Sequence, residues 1–368
     1  MVEKQSIYIC STSSFCGKSV ISLGLALNLQ DAGFKVGYFK PIGSEMGRDS
    51  KGVKIDEDAR LMASILGLKM PMDTIVPLIF GTRYLEETEN VDPHFFDEKI
   101  MKAYKKVAEE KDAVILEGTH SLGIGNLLGI DAVSLSKKLK TRILMISTYQ
   151  NDNNIDSDTW TKRIIDATGG DFAGLILNRV PRTDLERVRR FAPHLFQKHG
   201  IELLGIIPED IELMAPTVKE ICDKINCEVL TAKNNLDNLV EDILVGAMSP
   251  EMCLTYFRRS FRKAVITGGD RTDVQQAALE TNLSALILTG NIYPDARVLS
   301  RAEELKVPVL LVPADTYSTV KNLQLTGRVS STDKKKIALA KKLVMGNVEW
   351  KKIFKLPDSE GECAREKD

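Results

Sequence analysis

"CSTSSFCGKSV", residues 10–20, closes on Gly17-Lys18-Ser19. A phosphate-binding loop of the pattern G-x-x-x-x-G-K-[ST] asks for glycine at position 12, and this chain has Thr12 there. The stretch is either a nucleotide site with an altered first corner or a glycine turn with a surface lysine. Its neighbours favour the first reading. The apolar run "SIYICS" (6–11) precedes it, and "GKSVISLGLALNLQDAG" (17–33) follows with apolar residues at helical spacing and Gly33 as a C-cap. A loop between a strand and a helix start aims backbone N–H groups at an anion, and a lysine adds a point charge.

The pattern repeats outward from that loop. "KVGYFKP" (35–41), "DAVILEG" (112–118), "TRILMIST" (141–148), "FAGLILNRV" (172–180) and "ELLGIIP" (202–208) read as strands buried on both faces. Helices are predicted over 97–111 and 183–200, among others. The alternation predicts an α/β fold of P-loop type, a mostly parallel sheet with helices on both faces. Residues 231–254 read as a connecting helix followed by Ser249-Pro250 punctuation. A second, smaller α/β alternation then runs through strands at 263–269, 285–290 and 308–313. The expected domains are 1–235, 245–325, and a C-terminal basic helix with a disordered tail over 326–368. The lysine run Lys334-Lys335-Lys336 is expected on a solvated helix face.

Composition excludes several partners. Lys+Arg (50) and Asp+Glu (51) nearly cancel, so no electrostatic footprint for nucleic acid or an anionic membrane is present. The six cysteines form no CxxC pair and the four histidines lie far apart, which argues against zinc and for a reducing cytosol. The N-terminal apolar run is too short for a signal peptide, and no stretch approaches a membrane span. A cytoplasmic protein is expected.

Candidate ligand residues gather at strand ends. Lys40 ends the second strand, Asp58 lies at a helix start, Glu117 ends the third strand, and Asn178 ends the fifth. A hydroxyl from Ser19 with two carboxylates suits magnesium, which takes hard oxygen ligands and keeps several waters. Alternatives stay open at each place: Asp58 and Glu117 as surface acids, Asn178 as a turn former. His120 is either an acid/base group or a loop residue. Cys16, at a helix N-terminus, is either an activated thiol or a packing residue.

Together these segments resemble the dethiobiotin synthetase family. In its loop register the first glycine lies one place earlier, so Ser11 stands at the glycine position and Thr12 at a threonine position. "GYFKPIGS" (37–44), "EDARLM" (57–62), "ILEG" (115–118), "AGLILNRVP" (173–181) and "LLGIIP" (203–208) are similar to the family's further segments. The resemblance spans roughly 5–215. It implies ATP and magnesium as ligands, with Ser11, Thr12, Ser13, Ser14, Phe15, Cys16, Gly17, Lys18 and Ser19 around the phosphates and Asn178 on adenine. It further implies Ser19, Asp58 and Glu117 on the metal, Lys18 and Lys40 as catalytic cations, and a homodimer. Residues 264–316 are similar to the DRTGG domain, which accompanies a synthetase-like module in long phosphotransacetylases and in shorter stand-alone proteins.

Thr119-His120-Ser121 replaces the synthetases' glycine-rich substrate segment, so their substrate is not carried over and the small-molecule partner stays unidentified. Two functions follow: a nucleotide-responsive regulatory protein, or an ATP-dependent ligase activating a carboxylate or carbamate. The chain is expected not to be a phosphotransacetylase, because it ends where that catalytic domain would begin. A second anion site is possible at Gly268–Asp273, against the alternative that Asp270 caps a helix and pairs with Arg271.

Overall fold

The strand run that carries the loop becomes the middle of a six-stranded parallel sheet. In chain order its strands are β1 (Gln5–Ser11), β2 (Val36–Phe39), β3 (Ala113–Glu117), β4 (Arg142–Thr148), β5 (Phe172–Val180) and β6 (Leu203–Pro208). Across the sheet they run β6-β5-β4-β1-β3-β2. The computed structural model describes residues 5–13, 16–44, 47–48, 54–81, 84–89, 91–323 and 334–356. The predicted tail "PDSEGECAREKD" (357–368) lies outside these residues.

Each predicted strand forms within a residue or two of its expected span, because residues buried on both faces read as unbroken apolar runs. β1 buries Ile7, Tyr8, Ile9, Cys10 and Ser11 in succession. One face carries Tyr8 and Cys10 into a cluster with helical residues Phe96, Ile100, Val188 and Phe196. The other face is covered by helix α1 (Lys18–Asp31), which packs on β1, β2 and β3. The chain passes from β3 on one side of β1 to β4 on the other, so a topological switch point falls at the β1 terminus, where open α/β sheets bind ligands.

The chain divides into two units: residues 1–209 with 330–368, and residues 210–329. This differs from the expected boundary near 235. Helix Val218–Ile225 buries Val218 and Ile221 against Ala264, Ile266, Ala285 and Ile287, so it is part of the second core. The second unit holds a five-stranded sheet. Asp242–Val245, Lys263–Gly268, Leu283–Thr289 and Val309–Leu311 are parallel neighbours, and Glu228–Val229 pairs antiparallel at the edge.

Asp242–Val245 corrects the connecting helix expected over 231–254. A four-residue run carries too short a period to separate strand from helix, and pairing with 263–266 settles it. The Ser249-Pro250 punctuation does open a helix, Pro250–Phe257, with proline at its first turn. Arg271 pairs with Asp273 at 3.2 Å and donates to the Met248 carbonyl at 3.0 Å, rather than pairing with Asp270. Cys222 and Cys227, expected as thiols, are joined by a disulfide across a tight turn with Cα atoms 5.2 Å apart. Cys10, Cys16 and Cys253 are buried thiols.

The C-terminal helix Lys334–Asn347 returns to the first unit and lies along α1. Lys336, expected in solvent, is buried there. Asn28 donates to the Lys341 carbonyl, Lys341 pairs with Asp31, and the Glu349 N–H donates to the Leu204 carbonyl at 2.8 Å. Val348 forms an antiparallel bridge to Gly205, which covers the β6 edge. Contact with the C-terminal helix is closest at Gly24, where an added Cβ would stand 2.4 Å from a Val344 methyl and 2.8 Å from the Ala340 carbonyl oxygen.

In an open helix Gly→Ala adds about 1 kcal/mol of stability, whereas overpacking a core costs about 1–3 kcal/mol. The net is a loss of up to about 2 kcal/mol, so the Gly24→Ala variant should melt at or below wild type, by as much as about 4–8 °C. A scanning-calorimetry Tm above wild type would show that the two helices do not seat as described.

Candidate functional site

The loop and α1 meet at Gly17, which takes φ 83°, the left-handed region. A Cβ there would stand 2.4 Å from the Asn178 Nδ2, so both backbone and packing demand glycine. α1 has no side-chain N-cap and no acid in its first turn. Its first backbone N–H groups thus face the loop without an internal competitor, as an anion site requires.

The structure brings the loop residues together at this terminus. Lys18 Nζ donates to Ser11 Oγ at 3.0 Å, so the lysine folds back along its own loop. Thr12 Oγ1 donates to Ser147 Oγ at 3.3 Å, and Cys16 Sγ donates to the Ser13 carbonyl at 3.0 Å. Cys16 is fully buried, which fits packing rather than an accessible thiol. Ser14 and Phe15 lie outside the described residues. Burial lowers the Lys18 pKa, with Glu117 pulling it back up, so its ammonium stands in a place that favours an arriving anion.

Ser19, Lys40, Asp58 and Glu117 converge beside Lys18. Ser19 Oγ donates to Glu117 Oε1 at 2.9 Å, and Tyr38 OH donates to Glu117 Oε2 at 3.2 Å. Lys40 Nζ lies 2.9 Å from Asp56, 3.4 Å from Asp58 and 3.8 Å from Glu117. Burial works against the Lys40 ammonium, but Glu117, Asp58 and Asp56 outweigh it and raise its pKa. Glu117, fully enclosed, has its pKa raised by burial, opposed by Lys40. Two ammonium groups thus face three carboxylates in one enclosed cluster. Among the described residues no group of three or more His, Cys, Asp or Glu could hold a metal alone.

Asn178 enters from β5. Its Nδ2 donates to the Cys16 carbonyl at 2.7 Å, so the amide also braces the loop. Arg179, at φ 56°, brings Nε within 3.8 Å of the Gly17 Cβ position. His120 is exposed, and burial together with Lys18 lowers its pKa, which leaves a neutral imidazole near pH 7.

Sequence reasoning missed Asp56, Tyr38 and Asp158. Asp56 is buried and accepts from Lys40, Ser44 N–H and Ala59 N–H; its only signal was an N-cap position one residue before a helix. Asp158, on the helix Asn153–Ala167, is 1% exposed, and neither oxygen finds a hydrogen bond of normal geometry among the described residues. Nothing in its local sequence distinguishes it from the solvated acids Asp156 and Asp166 on the same helix.

Comparison with known proteins places these features. Residues 5–217 match the AAA domain family, and residues 220–326 match the DRTGG domain. The phosphate acetyltransferase of Nitratidesulfovibrio vulgaris is 28% identical over 353 residues, which is 91% of this chain and 49% of that protein. Four further relatives of the same name are 26–27% identical. The chain spans about half the length of the curated relatives it matches. These relatives overturn the expectation that the chain is not a phosphotransacetylase, which rested only on where the sequence stops. The ATP-dependent dethiobiotin synthetase of Clostridium perfringens is 27% identical over 218 residues, covering 57% of this chain and 93% of that enzyme. Among solved structures, the septum site-determining protein MinD with Mg-ADP from Pyrococcus horikoshii is 19% identical, with a TM-score of 0.36, over 57% of this chain and 84% of that one. No described helix is long and apolar enough to cross a membrane.

Asp158 gives the site a pH signature. Burial pushes its carboxyl from an ordinary 3.8 up to about 7, with the Ser147 hydroxyl pulling only part of the way back. The folded state therefore keeps a proton that the unfolded chain releases, and stability falls as pH rises from about 4 to about 7, by on the order of 4 kcal/mol. Asp158→Asn removes that loss, so its Tm should exceed wild type at pH 8 and converge with it at pH 4.5. An equal offset at both pH values would place the carboxyl in water instead.

Proposed function

From a chain that belongs to the AAA domain family across residues 5–217, we propose a protein that binds ATP with magnesium in its first unit and regulates phosphate acetyltransferase chemistry. The observation that carries this reading is the uncapped start of α1 with Lys18 beside it, next to the Ser19–Glu117 pair. The N–H groups of that helix end and the Lys18 ammonium bind a triphosphate's oxygens. Ser19, Asp58 and Glu117 are hard oxygen donors of the kind magnesium takes, fewer than a full cage, which suits an ion sharing its shell with phosphate and water. Magnesium would supply charge neutralisation across the phosphates.

Regulation is preferred because the named relatives join this pair of modules to phosphate acetyltransferase chains twice as long. The DRTGG unit is the part that would sense or transmit occupancy, and self-association as a homodimer belongs to the same reading. A second reading, ATP-dependent ligation, is favoured by the dethiobiotin synthetase relative. There Lys18 and Lys40 would steady the phosphoryl group as a carboxylate or carbamate attacks it.

Asn178 would contribute base choice through its oxygen, since its nitrogen already serves Cys16. An amide oxygen accepts from adenine's amino group but faces another acceptor at guanine O6. One hydrogen bond of about 1 kcal/mol gives ATP about a fivefold advantage over GTP. Isothermal titration with both nucleotides checks this, and equal affinities would remove Asn178 from the base site.

Ligand that binds only the native state raises Tm by mass action. Millimolar Mg·ATP should raise the Tm of wild type, and Lys18→Ala should lose most of that shift. An unshifted wild-type protein would end the nucleotide reading. Phosphate release across a panel of carboxylates would favour the ligase instead.

A further inference from the structure

Asp56, Asp58 and Glu117 are not equivalent partners of Lys40. Asp56 is fully engaged: Oδ1 accepts from Lys40 and from the Ala59 N–H, and Oδ2 accepts from the Ser44 N–H. The Asp58 side chain is 20% exposed and reaches the Lys40 ammonium at 3.4 Å. Glu117 turns Oε1 to both Ser19 and Lys40. Asp58 and Glu117 therefore look onto one place, and a cation already stands in it. A divalent ion needs those same oxygens, and two cations cannot share them at contact distance.

We propose that Lys40 is the resident cation of the nucleotide-free protein, and that a divalent ion enters only when a triphosphate draws Lys40 away from Asp58 and Glu117. Asp56 stays with the lysine throughout and acts as its positioning residue. Its carboxylate keeps the ammonium at the end of β2 as the other two contacts open. Nucleotide and divalent ion then each raise the affinity of the other, because they are coupled through one side chain. This rests on the nucleotide reading above and gives it an order of events: a free divalent ion does not load the site in advance.

The test uses the full chain and the paramagnetic signal of free Mn2+ as probe. Wild type without nucleotide should leave that signal undiminished, and adding a non-hydrolysable ATP analogue should deplete it further than the same analogue does in protein-free buffer. Lys40→Met should take up Mn2+ without nucleotide, at least about tenfold more tightly than wild type. Lys40→Arg, which keeps the charge, should behave as wild type. Adding Asp58→Asn to Lys40→Met should abolish the gain, which a general loosening of the fold would not do. Wild type that takes up Mn2+ without nucleotide overturns the proposal whatever the variants do, as does a folded Lys40→Met that gains nothing. If wild type binds no nucleotide, the functional reading fails, and the Mn2+ contrast between wild type and Lys40→Met still decides this one.

Discussion

Glu117 is the point on which the site depends. A carboxylate at the end of a central strand, almost wholly removed from water, is unfavourable unless its oxygens are satisfied. Here Ser19 from α1, Tyr38 from β2 and Lys40 from the residue after β2 all turn to it. The start of α1 and the end of β2 are thereby fixed to β3 by a single group. Removing the carboxylate would leave Lys40 with less counter-charge and Ser19 without an acceptor, so the start of α1 and the end of β2 would loosen together.

Lys40 and Asp56 show how the cluster holds its own balance. Asp56 caps the helix Glu57–Ile65 and receives a second backbone N–H from Ser44. That places a helix-capping carboxylate beside a buried lysine, only two positions from the more exposed Asp58. Burial alone would favour a neutral lysine, and three acids reverse the preference. The site is thus charged and dry at once, a condition in which an arriving anion is felt strongly.

Much of this was legible in the sequence, for physical reasons. Strands buried on both faces write continuous apolar runs, so all six strands of the first sheet could be placed. The loop, Lys40, Asp58, Glu117 and Asn178 fall at strand ends or at a helix start, which periodicity locates well. Asp242–Val245 was hidden because a four-residue, half-exposed strand has no period of its own. Asp56 was hidden because its value comes from contacts across the chain, and Asp158 because only tertiary burial separates it from the acids around it. Asn178 was placed near the end of the fifth strand, and its brace on the Cys16 carbonyl needed three dimensions.

The return of the C-terminal helix to the first unit bears on how the protein is made. Translation delivers residues 5–208, and so every strand of the first sheet, before the residues that cover the β6 edge and the outer side of α1. During synthesis that sheet therefore waits with its β6 edge open and one helix face uncovered while the whole of 210–329 emerges. Folding units of this kind tend to linger as incomplete intermediates with exposed apolar surface and unpaired strand edges. The second unit, which is one continuous stretch of chain, can finish first although it is made later. A nascent chain arrested before residue 334 should consequently be a stronger client for holdase chaperones than one arrested after residue 356.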